Sequence, residues 1–194
     1  MEYSNYADSL YDNSTLGVSA TRIPGMLIVN QVVNADGRGW MKENFQRSAL
    51  LPLGFPADFT PVGNQVASIR DRGFTRGIHA DTVNKFISVT RGEVFAAIVD
   101  LREGDTFGVL ETVRLTPSIA IYVPKGCGNS YQTLVDDVQY TYLEDQRTSS
   151  DPSTNVSLAD PGLAVAWPIP LAEATLLDAD HQRPSLPDVV PVSN

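Results

Sequence analysis

The stretch FISVTRGEVFAAIV, residues 86–99, decides the fold class. Phe86-Ile87-Ser88-Val89-Thr90 and the run from Val94 to Val99 are apolar and β-branched, and Arg91-Gly92-Glu93 between them places a glycine in the turn. The pattern is a β-hairpin. Outward from it, residues 109–115, 119–123 and 138–143 have the same character, separated by Thr116-Pro117-Ser118, Lys125-Gly126 and Asp136-Asp137. Upstream, MLIVNQVV, residues 26–33, reads as another buried strand, closed by Asn34-Ala35-Asp36-Gly37. A strand this apolar is not left as a free edge, which predicts that residues 26–45 pair with a partner copy. Regular short strands predict an all-β barrel or sandwich.

Helical spacing is confined to two places. Residues 42–50 read as a second strand or short helix, with Phe45, Ala49 and Leu50 at helical spacing before Pro52 and Pro56 stop it. LAEATLLDADHQ, residues 171–182, places Leu171, Ala174 and Leu177 on one face of an amphipathic helix, with His181 as a surface histidine. Residues 1–22 read as a polar extension, 23–183 as one domain, and 184–194, with Pro184, Pro187 and Pro191, as a tail.

Composition removes several function classes. The 194 residues, 42% hydrophobic and 19% charged, suit one folded domain and exclude wholesale disorder. A net charge of −9 repels polyphosphate backbones, so nucleic acid is not an expected partner. The first residues carry no basic and apolar signal pattern, and no apolar run approaches the ~20 residues of a membrane span. The expectation is a cytoplasmic protein with no membrane partner. The lone Cys127 forms no internal disulfide or Cys-based zinc site and reads as a small buried packing residue. His79 and His181 are the only histidines, too few for a clustered-histidine metal centre, and no phosphate-cradling glycine loop occurs.

Within Arg76-Gly77-Ile78-His79, a lone strand histidine is either a core residue or a base. Lys85, Tyr142 and Asp160 supply types that, with His79, suffice for proton abstraction beside a carbonyl: base, enolate-stabilising cation, returning acid and orienting carboxylate. Each also has a plain structural role. Tyr142 fits a barrel wall, Lys85 and Arg76 fit solvated hairpin charges, and Asp160-Pro161-Gly162 fits an ordinary turn.

These residues carry a resemblance. Asp36, Arg38, Gly39 and Glu43 form an Asp-x-Arg-Gly-x-x-x-Glu motif, and Arg76, Gly77 and His79 an Arg-Gly-x-His motif. Lys85, Asp100, Pro124 with Gly126, Tyr142 and Asp160 follow in the same order. Over residues 26–183 the chain resembles the deoxythymidine-diphosphate (dTDP)-4-dehydrorhamnose 3,5-epimerases, cupin-type enzymes of deoxysugar biosynthesis. The resemblance implies a cupin-type jelly-roll β-barrel with short peripheral helices, working as a homodimer without metal, nicotinamide or other cofactor. It also implies inversion of C3 and/or C5 of a dTDP-4-keto-6-deoxyhexose. By position it makes His79 the base, Asp160 its orienting carboxylate, Tyr142 the opposite-face acid and Lys85 the enolate stabiliser. Arg76 goes to the diphosphate, and Arg38 and Glu43 to the nucleotide in the neighbouring subunit's site.

The chain departs from the usual pattern around that site. A second family histidine is replaced by Asn129, which can hydrogen-bond a substrate oxygen but carries no charge. Met41, beside Trp40, replaces an aromatic, and Ala80-Asp81 replaces aromatic-Gln. His79-Ala80-Asp81 and Asn129-Ser130-Tyr131 resemble a sub-branch tied to secondary-metabolite or surface sugars. Two alternatives share the frame: a 3,4-ketoisomerase of the same sugars and a catalytically silent nucleotide-sugar-binding cupin.

Overall fold

The computed structural model describes residues 15–147 and 154–193, so the start of the N-terminal extension, residues 1–14, lies outside the described residues. In chain order the strands are β1 (Gly17–Ala20), β2 (Leu27–Asn30), β3 (Asn34–Asp36), β4 (Gly39–Met41), β5 (Gly63–Ile69), β6 (Thr75–Ala80) and β7 (Lys85–Arg91). They continue as β8 (Val94–Asp100), β9 (Leu110–Leu115), β10 (Ile119–Val123), β11 (Cys127–Thr133), β12 (Val138–Glu144) and β13 (Thr154–Asn155), and a one-turn helix α1 (Arg47–Leu50) precedes β5. A six-stranded sheet, β1-β2-β10-β7-β12-β5, faces a five-stranded sheet, β13-β6-β11-β8-β9, in a jelly-roll barrel. Its strand pairings are antiparallel.

The hairpin motif folds as β7–β8, but its strands belong to different sheets. Each is covered on both faces, which is why both read as near-continuous apolar runs rather than as alternation. Between the sheets pack Ile87, Val89, Ile98, Val113, Ile121, Tyr131 and Tyr140. Outside the six-stranded sheet, Phe86 and Tyr122 meet Leu50, Phe55 and Phe59. The rings of Phe45, Phe55, Phe59, Phe86 and Tyr122 contact edge to face at 5.1–6.0 Å. Outside the five-stranded sheet, Ile78, Ala80, Val99 and Leu101 are covered by Val156, Leu158, Leu163 and Val189 from the C-terminal third.

Several expectations change here. Residues 171–182 form two 3-10 turns, Leu171–Glu173 and Asp178–Gln182, instead of one amphipathic helix. Short segments let this stretch follow the sheet surface and bury Asp180 while leaving His181 exposed. The tail is part of the body: Leu186–Asp188 is another 3-10 turn, Val189 is buried, and Val192 bridges to Arg102. The extension's end, Gly17–Ala20, pairs with β2 and is not a loose segment. Because β2 lies between β1 and β10, the free-edge argument for residues 26–33 falls away. Residues 42–50 resolve into α1 and its approach, with Pro52 in the first turn of the following 3-10 segment.

One charged group anchors the segment leaving β4. Lys42 Nζ donates to Gln31 Oε1 at 2.9 Å, Val89 O at 3.1 Å and Pro117 O at 2.8 Å. Those acceptors use the three ammonium protons, while burial draws the group's pKa down to about 7.

Candidate active site

The site forms where β6 and β11 of one sheet face β7 and β12 of the other. Arg76 and His79 are three residues apart on β6, so a regular strand would point them to opposite faces. The β6–β11 register shifts between them: Asn129 pairs with His79 and Tyr131 with Arg76, two steps on β11 against three on β6. This bulge brings both side chains to the barrel interior. Gly77 permits it. A Cβ there would stand 2.7 Å from Ser130 Cα and 2.8 Å from Asn129 O, and its φ is +125°.

His79, Lys85, Tyr142, Arg76 and Asn129 line one cavity of about 230 Å³ with Gln65, Asp81, Tyr131 and Glu144. His79 is held from several sides. Asn129 Nδ2 donates to its main-chain oxygen at 2.9 Å, and Asn155 Oδ1 lies 2.5 Å from Nδ1. Asp180 Oδ1 lies 3.6 Å from Nε2, and Arg183 Nε is 3.8 Å from that same carboxylate oxygen. Burial, the largest influence, holds the imidazole pKa below its ordinary value, and Arg183 and Arg76 act in the same direction. Asn155 and Asp180 oppose the shift without reversing it. His79 is therefore a neutral imidazole at neutral pH.

Opposite stands Tyr142. Burial pushes its phenol well above the usual range, so the hydroxyl stays protonated. Its ring is edge-on to Tyr140 at 5.0 Å, and Tyr140 stacks on Tyr131 at 4.4 Å, so aromatic rings line the barrel below the cavity. Lys85 is almost fully buried, with Nζ 5.7 Å from the Tyr142 ring centroid and ion-paired to Asp81. Asp81 and Glu144 add carboxylates to a cavity read from sequence chiefly through its cations, and Gln65 donates to Glu144 at 2.8 Å.

Asp160 does not orient His79. Its Oδ1 accepts from Leu163 N at 2.8 Å and its Oδ2 from Leu186 N at 2.7 Å, so it ties its own turn to the C-terminal segment. The plain turn reading of Asp160-Pro161-Gly162 holds, and the carboxylate beside His79 is Asp180. Arg38 and Glu43 also lie outside the cavity lining. Arg38 sits on the β3–β4 hairpin, paired to Asp36 at 2.6 Å, while Glu43 lines a separate pocket with Gln31, Phe45 and Gln46. Cys127 is buried against Asp100, with its thiol pKa pushed up to about 12, which fits packing rather than nucleophilic chemistry. Among the described residues no group of three or more His, Cys, Asp or Glu side chains is placed to hold a metal ion.

A model of the dTDP-4-dehydrorhamnose 3,5-epimerase family matches residues 20–188. The chain belongs to this family. The chain is similar to a protein RmlC homolog from Streptococcus pyogenes, 38% identical, with the match covering 95% of this chain and 96% of the relative. An RmlC from Streptococcus suis, solved in complex with dTDP-D-xylose, is 40% identical with a TM-score of 0.88, covering 93% of this chain and 96% of that one. A His-to-Asn, Tyr-to-Phe double mutant of ChmJ, a 3'-monoepimerase from Streptomyces bikiniensis solved with dTDP, is 29% identical with a TM-score of 0.76, covering 87% and 86%. The epimerase family's cupin-type jelly roll is the fold seen here, and its activity is of the isomerase class.

Proposed function

We propose that this chain epimerises C3, C5 or both in a dTDP-4-keto-6-deoxyhexose. The observation that carries this is the placement of base and acid on facing sheets: His79 on β6, with Lys85 and Tyr142 on β7 and β12, all lining one cavity. Inverting a carbon needs a proton removed from one face of the ring and returned to the other, and facing walls provide that. His79, neutral through burial, takes the proton α to the C4 ketone, and the C–H electron pair moves into the enolate. Lys85 Nζ donates to the enolate oxygen as charge develops there. Tyr142 returns a proton to the opposite face, and solvent restores both groups. Asp180 stabilises the imidazolium in the role first assigned to Asp160.

Arg76, exposed on the same cavity, meets the diphosphate, and Asn129 supplies a neutral hydrogen bond. Arg38 and Glu43 reach the nucleotide of a neighbouring copy in a homodimer. Two features support this: the hairpin's exposure and the absence of both residues from their own chain's cavity lining.

The test is incubation with dTDP-4-keto-6-deoxyglucose in deuterated water. Deuterium at C3, C5 or both, with inverted configuration, is expected. Movement of the carbonyl to C3 instead identifies the ketoisomerase, and no exchange overturns the proposal for this substrate.

A further inference from the structure

The connection from β6 to β7 carries an ion pair in the cavity wall. Asp81 follows the last residue of β6 and Lys85 opens β7, so the two partners stand where one sheet passes into the other. The chain around them is fixed. The Asp81 main-chain oxygen accepts from Gly126 N at 2.9 Å. Asn84 donates through its main-chain N and its Nδ2 to the two carboxylate oxygens of Asp145, at 3.0 and 2.6 Å, and its Oδ1 accepts from Lys125 N at 2.9 Å. The pair is therefore held in place before anything binds.

What the pair leaves unused points to a ligand. The Lys85 side chain is only 6% exposed, yet one ammonium proton goes to Asp81 Oδ2 and the other two have no hydrogen-bond acceptor among the described residues. Asp81 Oδ1 likewise has no donor among the described residues, and its side chain keeps 21% exposure on the cavity that it lines. Glu144, the other cavity carboxylate, already accepts from Gln65 at 2.8 Å. The wall thus offers a donor and an acceptor side by side. An α-hydroxy ketone offers the complement: a carbonyl oxygen that accepts and, on the next carbon, a hydroxyl that donates. We infer that Asp81 is a specificity-determining residue that reads an α-hydroxy ketone together with Lys85, the ammonium donating to the C4 ketone oxygen and the carboxylate accepting from the C3 hydroxyl. In a 4-keto-6-deoxyhexose, C3 bears the only hydroxyl next to the ketone, because C5 carries the ring oxygen and the methyl group. A sugar with a methylene at C3 would strip water from Asp81 Oδ1 and leave it unpaired, so the pair selects against that sugar as well as for the hydroxylated one.

The inference rests on Lys85 meeting the ketone in the proposed reaction, but binding reads it without turnover. Titration calorimetry on the full chain compares dTDP-4-keto-6-deoxyglucose with its 3-deoxy analogue, dTDP-4-keto-3,6-dideoxyglucose. The unmutated chain is expected to bind the hydroxylated sugar at least about 10-fold more tightly, the worth of a hydrogen bond to a charged group. Asp81→Ala is expected to remove most of that preference. A residue that only positions Lys85 would weaken both sugars equally when removed, so an unchanged ratio in Asp81→Ala overturns the inference. Equal binding of the two sugars by the unmutated chain also overturns it, and that measurement needs no variant to fold. Binding of neither sugar overturns the inference and the proposed function together. A preference for the hydroxylated sugar without epimerisation of it overturns the proposed function and leaves the inference standing.

Discussion

The barrel interior and the β3–β4 hairpin both carry charged residues from intact motifs, in opposite circumstances. In the interior, Lys85 and Asp180 are buried and the side chain of His79 is only 21% exposed, each held by groups of the same chain. On the hairpin, the Arg38 side chain is 91% exposed and Met41 71% exposed, and β3 and β4 pair only with each other. Burial lowers the His79 pKa and raises that of Tyr142 within one chain. On the hairpin, Arg38 and Met41 stand in solvent with no cavity around them. We therefore propose chemistry in the interior and nucleotide recognition across copies at the hairpin.

That contrast can be broken most decisively at His79. His79→Ala is expected to lower kcat by at least about 10²–10⁴-fold, the range for a positioned proton-transfer group. Arg38→Ala and Glu43→Ala are expected to raise KM with kcat little changed. Steady-state kinetics on purified variants checks both, and a kcat effect at Arg38 rivalling that at His79 erases the division.

The two carboxylates sharpen it next. Asp180→Asn is expected to lower kcat about 10–100-fold with thermal stability nearly kept. Asp160→Ala, which strips the acceptor from the Leu163 and Leu186 amides, is expected to cost about 1–3 kcal/mol in stability with kcat nearly kept. Denaturant unfolding beside kinetics reads this double dissociation, and the opposite pattern would restore Asp160 to the dyad.

Complementation addresses the hairpin. Mixing His79→Ala with Glu43→Ala protein under subunit exchange is expected to restore activity in part, because one site of each mixed dimer combines an intact His79 with an intact hairpin from the other copy. Additive, unrestored activity would place both residues in one chain's site.

A smaller effect is expected with pH. Because burial holds the His79 pKa below its ordinary 6.5, the unfolded chain binds the proton first. Stability present above pH 6.5 is then lost as pH falls through the folded-state value, and kcat/KM falls in the same window as the base is consumed. His79→Gln is expected to remove that component from the pH dependence of unfolding. An acid limb rising above pH 6.5 would contradict the burial argument.

What was legible in the sequence follows from what side chains do to a strand. Strands β7, β8, β10 and β12 announce themselves because both faces are largely covered and most residues are apolar or β-branched, and edge strand β9 does so by alternating buried Val113 and Leu115 with exposed Thr112 and Arg114. Strand β11, CGNSYQT, is buried throughout yet polar, and hydropathy cannot flag it. Its Ser130 donates to Ala97 O and its Gln132 to Thr75 Oγ1 and Ile169 O, satisfactions visible only in three dimensions. Strand β5, at a sheet edge and largely exposed, lacks the apolar run for the opposite reason. In the site, His79, Lys85, Tyr142 and Arg76 stand out through motif order, with Lys85 and Tyr142 on readable strands, and Asn129, on the unreadable β11, stands out only as a departure from the family pattern; the fold brings all five to one cavity. Asp180 was missed because Asp178-Ala179-Asp180-His181 fits a helix surface, and nothing local marks which aspartate is buried. Asn155 stands on a two-residue strand too short to carry a period.

The central claim is that His79 removes the proton and Tyr142 returns it from the facing sheet. It is tested most directly by following deuterium from solvent into dTDP-4-keto-6-deoxyglucose with the unmutated chain, His79→Ala and Tyr142→Phe side by side. The account predicts incorporation with inversion for the unmutated chain and none for His79→Ala. For Tyr142→Phe it predicts wash-in with retained configuration, because the proton can still return to the face it left. Near-normal exchange by His79→Ala would contradict the account and make Lys85 the next base to test.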